Sequence, residues 1–424
     1  MKLRTVLFWT HLVAGVVAGL VILIMSVTGT LLAFQQSVLR FIERSDRVVA
    51  VPPDGTPRLD VDTLLERVRG ASPDAQPTAV TLDSDPAAAV MVAVGAQGNV
   101  FVNPYTGEVL GTGSPRARAF YRSVTNWHRW LAAEGEARAT ARAITGACNA
   151  AFLVLAVSGL FLWWPKQWSL RHIGAVIWFR RGLRGKARDF NWHNTIGFWC
   201  APVLIVLTIT GMVISYTWAS NLVYTLTGSP RPPATGGAAG GRGGAAAQAG
   251  APHRDVKPAP SLESIVDQAE TRVPTWRTMI LRLPPRPGGP VSASISDREY
   301  WNSFARSTLT VDGTSGATRW EPYARTTLGQ KVRGWMRFAH TGELGGLPGE
   351  AVAGLASLGG AFLMWTGLAL ALRRLAASRR RFNTRVQAGV QHEGSTRGFN
   401  TGVHVRLNPD NYELQADPRG EPPW

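Results

Sequence analysis

FNWHNTIGFWCAPVLIVLTITGMVISY, residues 190–216, is uncharged and apolar from Ile196 onward, long enough to cross a bilayer as a helix. One histidine, His193, stands near its front, and a Thr210-Gly211 pair lies deep inside. The amino terminus repeats the design in FWTHLVAGVVAGLVILIMSVTGTLLAF, residues 8–34. Aligned on the histidines, Phe8 matches Phe190, Gly15 matches Gly197, and Thr28-Gly29 matches Thr210-Gly211. His11 to Gly29 and His193 to Gly211 are both 18 residues, five turns of helix, so each histidine shares a face with its glycine. This pattern predicts a duplicated protein.

Four uncharged apolar spans emerge from the 424 residues: 12–34, 143–164, 196–218 and 351–371. Each approaches the ~20 residues that a spanning helix needs. The first is too long for a signal peptide and lacks a small-x-small site before Phe34, so it is expected to remain as an anchor. Basic residues set the expected orientation. Lys166, Arg171, Arg180, Arg181, Arg184, Lys186 and Arg188 follow the second span, Arg373, Arg374 and Arg379 to Arg381 follow the fourth, and Lys2 and Arg4 precede the first. These put both termini and the 166–188 loop in the cytoplasm and the two long connections outside. The net charge of +17 is therefore membrane-flanking in large part, and no nucleic-acid motif accompanies it. Cys148 and Cys200 both fall within spans and read as packing residues.

The outside connections repeat as well. Residues 59–113 open with a helical pattern, VDTLLERVRGA, and continue through short apolar runs to the turn of VNPYTGEVLG. Residues 261–322 open with SLESIVDQAETRV and end in STLTVDGTSGATRW. Each predicts a helix followed by short strands with a Gly-containing turn. The expected organisation is a first spanning helix (1–36), a first α+β module (37–125), a histidine segment with the second span (126–165), and a basic loop (166–188). A third span (189–222), a flexible Gly/Ala/Pro insert (223–260), a second module (261–335), a histidine segment with the fourth span (336–375) and a tail (376–424) complete it. The tail lacks a periodic core pattern and is expected to be poorly ordered.

A second histidine precedes the second span of each repeat: His128 in NWHRWLAAEGEAR and His340 in RFAHTGELGGLPGEA. The spans that follow end in Ser158-Gly159-Leu160 and Thr366-Gly367-Leu368. Topology pairs the histidines by depth, His11 with His193 inside and His128 with His340 outside. Two imidazoles at one depth of a helical bundle are what axial ligation of a haem iron requires, so two pairs suggest two haems. The glycines leave room for porphyrin edges or let helices approach. His172, His253, His392 and His404 have no repeat partner and read as solvated, and Trp127, Trp130, Trp163 and Trp164 read as interfacial belts. Arg129, Arg138 and Arg337 outside, or Arg4 and Arg188 inside, are candidates to meet haem propionates.

These features resemble the PepSY-associated transmembrane family of bacterial inner-membrane proteins. The resemblance rests on His11 with Thr28-Gly29, VNPYTGEVLG, SGLFLWWP closing the second span, Asp189 with His193, and RFAHTG at 337–342, and covers roughly residues 3 to 375. The chain departs from the family in its Gly/Ala insert and in DGTSGATRW, which replaces the usual turn of the second module. The resemblance implies an α-helical membrane protein, a four-helix bundle from a duplicated two-span unit with two PepSY-like periplasmic modules. It further implies two haems b on His11, His193, His128 and His340, serving ferric-siderophore reduction. With no glycine-rich dinucleotide fingerprint, the electron donor is expected to be a cytoplasmic partner or a quinol. The alternative is a haem-free sensor or peptidase-modulating protein whose modules bind partners. A transporter is disfavoured because the spans carry no internal charge.

Overall fold

The computed structural model describes residues 3–53, 55–95, 98–164, 174, 177–231, 260–286, 288–302 and 304–396. Much of the basic 166–188 loop, the core of the Gly/Ala insert and the last 28 residues lie outside these. Among the described residues four helices are long and apolar enough to cross a membrane: Leu3–Ala33 (α1), Ala137–Trp163 (α6), Gly185–Ser215 (α7), and a span over Glu343–Arg380, most of it in Gly346–Thr396 (α11). The chain is a mostly helical membrane protein. Large aliphatic side chains such as Val17, Leu20 and Leu355 cover its outer surface, each more than 60% exposed. Small and medium side chains such as Ala18, Ile22, Leu155 and Leu204 close the interior. α11 runs on to Thr396 where a poorly ordered tail was expected. Its Leu-, Ala- and Arg-rich sequence after residue 371 favours helix without needing a buried face.

After α1 come two short helices, Gln35–Ile42 (α2) and Arg44–Arg47 (α3), then Val61–Ala71 (α4) and strands Ala79–Asp83 (β1), Val90–Ala93 (β2), Asn99–Val102 (β3) and Val109–Gly111 (β4). The second connection carries Thr217–Leu226 (α8), Leu262–Arg272 (α9), and strands Trp276–Arg282 (β5), Val291–Asp297 (β6), Arg306–Val311 (β7) and Thr318–Glu321 (β8). The two modules expected from the sequence form one sheet in the order β4-β3-β2-β1-β5-β6-β7-β8, antiparallel throughout. β1 and β5 join the halves, with Val80 opposite Leu281. Alternate residues, among them Val80, Val92, Val102, Met279, Ile295 and Leu309, share one core with Leu64 and Val68 of α4 and Ile265 and Ala269 of α9. Fusion removes two exposed edges and enlarges a core that neither half fills alone.

The two helices also cap one another. The Glu263 carboxylate accepts from the Val61 amide (2.8 Å), and Asp62 accepts from the Glu263 amide (3.1 Å). Each acid thereby satisfies an orphan N–H at the other helix's start. Despite their different sequences, the closing turns match. Asn103 and Asp312 each accept from the two amides that follow at i+2 and i+3, and Gly107 and Gly316 adopt φ of 71° and 69°. DGTSGATRW therefore makes the turn of NPYTGEV with an aspartate in the asparagine's place.

From the sheet the chain returns through Pro115–Trp130 (α5) and Leu328–Thr341 (α10), which carry His128 and His340. Each is a separate amphipathic helix that reverses into the span after it, so His128 belongs to a longer element than the 126–165 segment expected. α5 turns at Leu131 and Ala132, both with positive φ, and α10 at Gly342 with φ 80°.

Glu43, 1% exposed, ties this corner together. Arg118 of α5 grips its carboxylate with two 2.6 Å bonds, Arg47 adds one of 2.8 Å, and the Ser114 amide donates at 3.2 Å. Gly113, with φ 67°, lies where a Cβ would meet the carboxylate. Burial alone pushes the Glu43 pKa up, but the Arg118 and Arg47 bonds together outweigh it and hold the carboxyl below its usual value. A depressed carboxylate stabilises the fold above its unfolded pKa of about 4.3, and that stability fades as pH falls through the lower folded value. Glu43→Gln should therefore cost about 3–5 kcal/mol near neutral pH, because it strands two guanidiniums. The deficit should shrink below pH 4. Denaturant melts of both proteins at pH 7 and pH 3 check this, and a deficit that stays constant with pH would overturn the assignment.

Candidate functional site

The histidines meet as pairs. The rings of His11 (α1) and His193 (α7) have centroids 6.3 Å apart at 84°, and those of His128 and His340 lie 6.4 Å apart at 55°. The first pair sits at the far end of the bundle and the second at the sheet end. Thr28, which touches His128, is 17 residues beyond His11, about 25 Å of helix rise.

Every ring is held in the same way. Nδ1 of His11 lies 2.9 Å from Ser158 Oγ, His128 2.9 Å from Thr28 Oγ1, His193 3.0 Å from Thr366 Oγ1, and His340 3.2 Å from Thr210 Oγ1. Each hydroxyl already donates its hydrogen to the carbonyl four residues earlier: Ser158 to Val154 (2.6 Å), Thr28 to Ile24 (2.6 Å), Thr366 to Phe362 (2.7 Å) and Thr210 to Val206 (2.7 Å). With that hydrogen spent, the hydroxyl oxygen can only accept, so Nδ1 carries the ring proton. The Leu207 carbonyl also accepts from His340, at 2.9 Å. Nε2 is left as the lone-pair end of all four rings, without a hydrogen-bond partner among the described residues.

The glycine after each hydroxyl makes the contact possible. A Cβ on Gly159, Gly29, Gly367 or Gly211 would lie 3.4, 3.4, 3.3 or 3.1 Å from Cε1 of His11, His128, His193 or His340. The Ser/Thr-Gly pairs, which the sequence left between helix packing and porphyrin clearance, are seats for imidazoles. They also cross depths: α1 supplies the inner His11 and the outer Thr28-Gly29, and α7 supplies the inner His193 and the outer Thr210-Gly211. The signal for them was present in the sequence, as one hydroxyl-Gly step per span at matched positions.

His11 and His193 line a cavity together with Gly159, Trp163, Gly197 and Leu363. Trp163, expected in an interfacial belt, stacks on Phe198 at 4.4 Å, and its buried indole N–H has no partner among the described residues. Beside the outer pair, Thr210, Ile209, Trp335, Met336 and Ala339 line an apolar groove. Arg188 bonds Asp189 at 2.9 Å, and Arg4 donates to the Leu162 carbonyl at 2.7 Å. His172, His253 and His404 fall outside the described residues, and of His392 only the helical backbone is described.

The family described as PepSY-associated TM region matches residues 8–374. The chain belongs to that family. No curated protein matches it. In this PepSY-associated chain both histidine pairs and all four hydroxyl-Gly seats lie inside the matched region.

Each pair offers two imidazole nitrogens that could hold a metal cofactor. Metal–imidazole bonds run about 2.0–2.1 Å, and a ring nitrogen sits roughly 1.1 Å from its centroid, so separations of 6.3 and 6.4 Å leave room for one metal atom at each pair. Among the described residues no three His, Cys, Asp or Glu side chains cluster. A pair of nitrogens alone suits a metal whose other donors come with the cofactor, and Trp163, whose buried N–H has no partner among the described residues, lines the inner cavity.

All four imidazoles are expected as the Nδ1–H tautomer. Solid-state ¹⁵N spectra of histidine-labelled protein check this: Nδ1 should show the protonated shift at each of the four positions. An Nε2–H signal at any of them would overturn the hydroxyl-acceptor arrangement.

Proposed function

We propose that this protein is a di-haem oxidoreductase of the bacterial inner membrane that passes electrons across the bilayer to reduce a ferric siderophore or other ferric chelate and release Fe(II). The observation that carries the reading is the pair of 6.3 and 6.4 Å ring separations with every Nδ1 committed to a hydroxyl. Haem b at each pair, when bound, supplies one-electron iron chemistry at two depths. His11 and His193 would hold the inner group, and His128 and His340 the outer one.

The residues divide the work. The hydroxyl acceptors fix ring orientation and raise the basicity of Nε2, and the seat glycines keep each ring within reach of its partner. Between the pairs, Ile22, Leu155 and Leu204 fill the bundle and exclude water. The basic flanks favour cytoplasmic termini and a periplasmic sheet. Electrons would enter at the His11 end from a cytoplasmic or quinol donor. At the sheet end the acceptor is a ferric chelate, whose hard oxygen ligands hold Fe(II) far less tightly than Fe(III), so reduction frees the metal.

Four single variants test the reading. His128→Ala and His340→Ala should each lose the same haem, about half the total, and His11→Ala and His193→Ala should lose the other. Haem stoichiometry and low-temperature spectra of the purified variants provide the measurement. Loss of the same haem from His11→Ala and His128→Ala would defeat the depth pairing. Wild-type protein purified without haem from haem-replete cells would remove the oxidoreductase reading itself.

A further inference from the structure

Two of the spanning helices end on matched breaks, α1 at Phe34 and α7 at Tyr216, 182 residues apart like His11 and His193. The breaks differ in shape. Phe34 has φ −97° and ψ 4°, close to helical, so α2 runs on from α1 with little change of course. Tyr216 is extended, with φ −114° and ψ 129°, so α8 leaves the line of α7 where the apolar span ends.

The sequence of α8, TWASNLVYTL, carries no charge, and the helix has two distinct faces. Ala219 and Val223 share a small core with Val332 and Met336 of α10, the helix that carries His340. Ser220 Oγ accepts from the Arg333 Nε–H and Ser229 Oγ from the Gly329 amide, both at 2.9 Å, and these bonds hold the same contact. On the other side Trp218, Leu222 and Leu226 stand one turn apart and are 56%, 47% and 77% exposed. The first repeat lacks this stripe. Its matched residues, Gln36, Arg40 and Arg44, are also exposed but polar. A surface that the fold accepts as polar in one repeat is apolar in the other, so its apolar character answers to something outside the fold.

The surroundings of the stripe name that partner. Val206 and Ile209, on the span that leads into α8, are 48% and 41% exposed, so the stripe extends an apolar surface that begins on a membrane-spanning helix. At the bend the Tyr216 and Trp218 rings lie 5.9 Å apart, an aromatic pair of the kind that sits at headgroup level. The insert that follows, 232–259, has Val256 as its only apolar side chain larger than proline and offers little to cover three large ones.

We propose that α8 is an interfacial helix, seated in the leaflet on the sheet side through Trp218, Leu222 and Leu226. A helix of this kind lies in the plane of the interface with its apolar face at the acyl boundary. Lipid and the His340-bearing α10 then meet α8 on different faces. The inference needs the spans to lie in a membrane and does not need a bound haem.

The test places a nitroxide on single cysteines of the full-length protein, with Cys148 and Cys200 replaced by alanine, in phosphatidylethanolamine–phosphatidylglycerol vesicles. Power-saturation spectra compare oxygen, which concentrates in lipid, with a nickel chelate, which stays in water. Val206→Cys serves as the lipid reference and Thr318→Cys, exposed on β8, as the water reference. Each label replaces an exposed side chain, so folding is not at stake. Leu222→Cys and Leu226→Cys should relax more with oxygen than with nickel, as Val206→Cys does. Nickel preference at both would put the stripe in water, and shielding from both reagents would put it against protein, a second copy included. Either result overturns the lipid assignment.

Discussion

Everything in the bundle follows from one contact: an imidazole N–H resting on a hydroxyl whose own hydrogen is already bound to the helix. A polar ring inside a bilayer-spanning bundle needs a partner, because an unmet donor costs free energy there. A serine or threonine that back-bonds to its helix becomes an acceptor only, which settles which ring nitrogen keeps the proton. The adjoining glycine lets the ring come close enough for that bond. Four such seats fix the proton on the same nitrogen of four histidines whose rings meet in two pairs, 6.3 and 6.4 Å apart, and a bundle held by alanine, leucine and glycine gains two defined polar centres.

The sheet matters to these centres because two of the four rings are carried by helices that leave it. α5 starts at Ser114, which caps it with Pro115 in the first turn, and α10 starts with the reciprocal Thr327–Gln330 capping box. Glu43 pins the head of α5 to α2 and α3 through Arg118 and Arg47. At the other end of α5, Leu131 and Ala132 take left-handed conformations that cost about 1–2 kcal/mol each in a non-glycine residue. Such strain persists only where packing over-determines it, and here it sits three residues beyond His128. The reach of His128 into the bundle is thus fixed at both ends of its helix.

Length and hydropathy made the spans legible, and the repeat alignment matched all four histidines, because both signals are periodic and local. The fusion of the sheet was not legible. β1 and β5 are separated by nearly 200 residues, and a strand's pattern shows which face is buried without showing which strand lies at its edge. α5 and α10 were hidden for a related reason: their amphipathic pattern precedes the apolar span with only a short reversal between, so His128 and His340 read as part of the span's approach. The seats escaped through their geometry. A hydroxyl-Gly pair on one helix shares a face with the histidine of the same helix, yet the five turns between them place it beside the histidine of the other depth.

The seats are alike but not equal, and the difference can be argued through. His340 has the Leu207 carbonyl as well as the Thr210 hydroxyl within reach of Nδ1, at 2.9 and 3.2 Å. For His11 the Ser158 hydroxyl is the only acceptor among the described residues. Thr210→Val removes a hydroxyl on the outer pair but leaves His340 a carbonyl to donate to, so its Nδ1–H tautomer should persist. Ser158→Ala leaves the His11 N–H with nothing, a loss worth about 1–3 kcal/mol for a buried donor. The His11 ring should then turn or change tautomer, and ¹⁵N spectra of the two variants should show mixed tautomers at His11 alone. Equal disturbance in both would mean that the Leu207 carbonyl contributes nothing. The firmest seat is then that of His340, where a carbonyl backs the hydroxyl at the sheet end of the bundle.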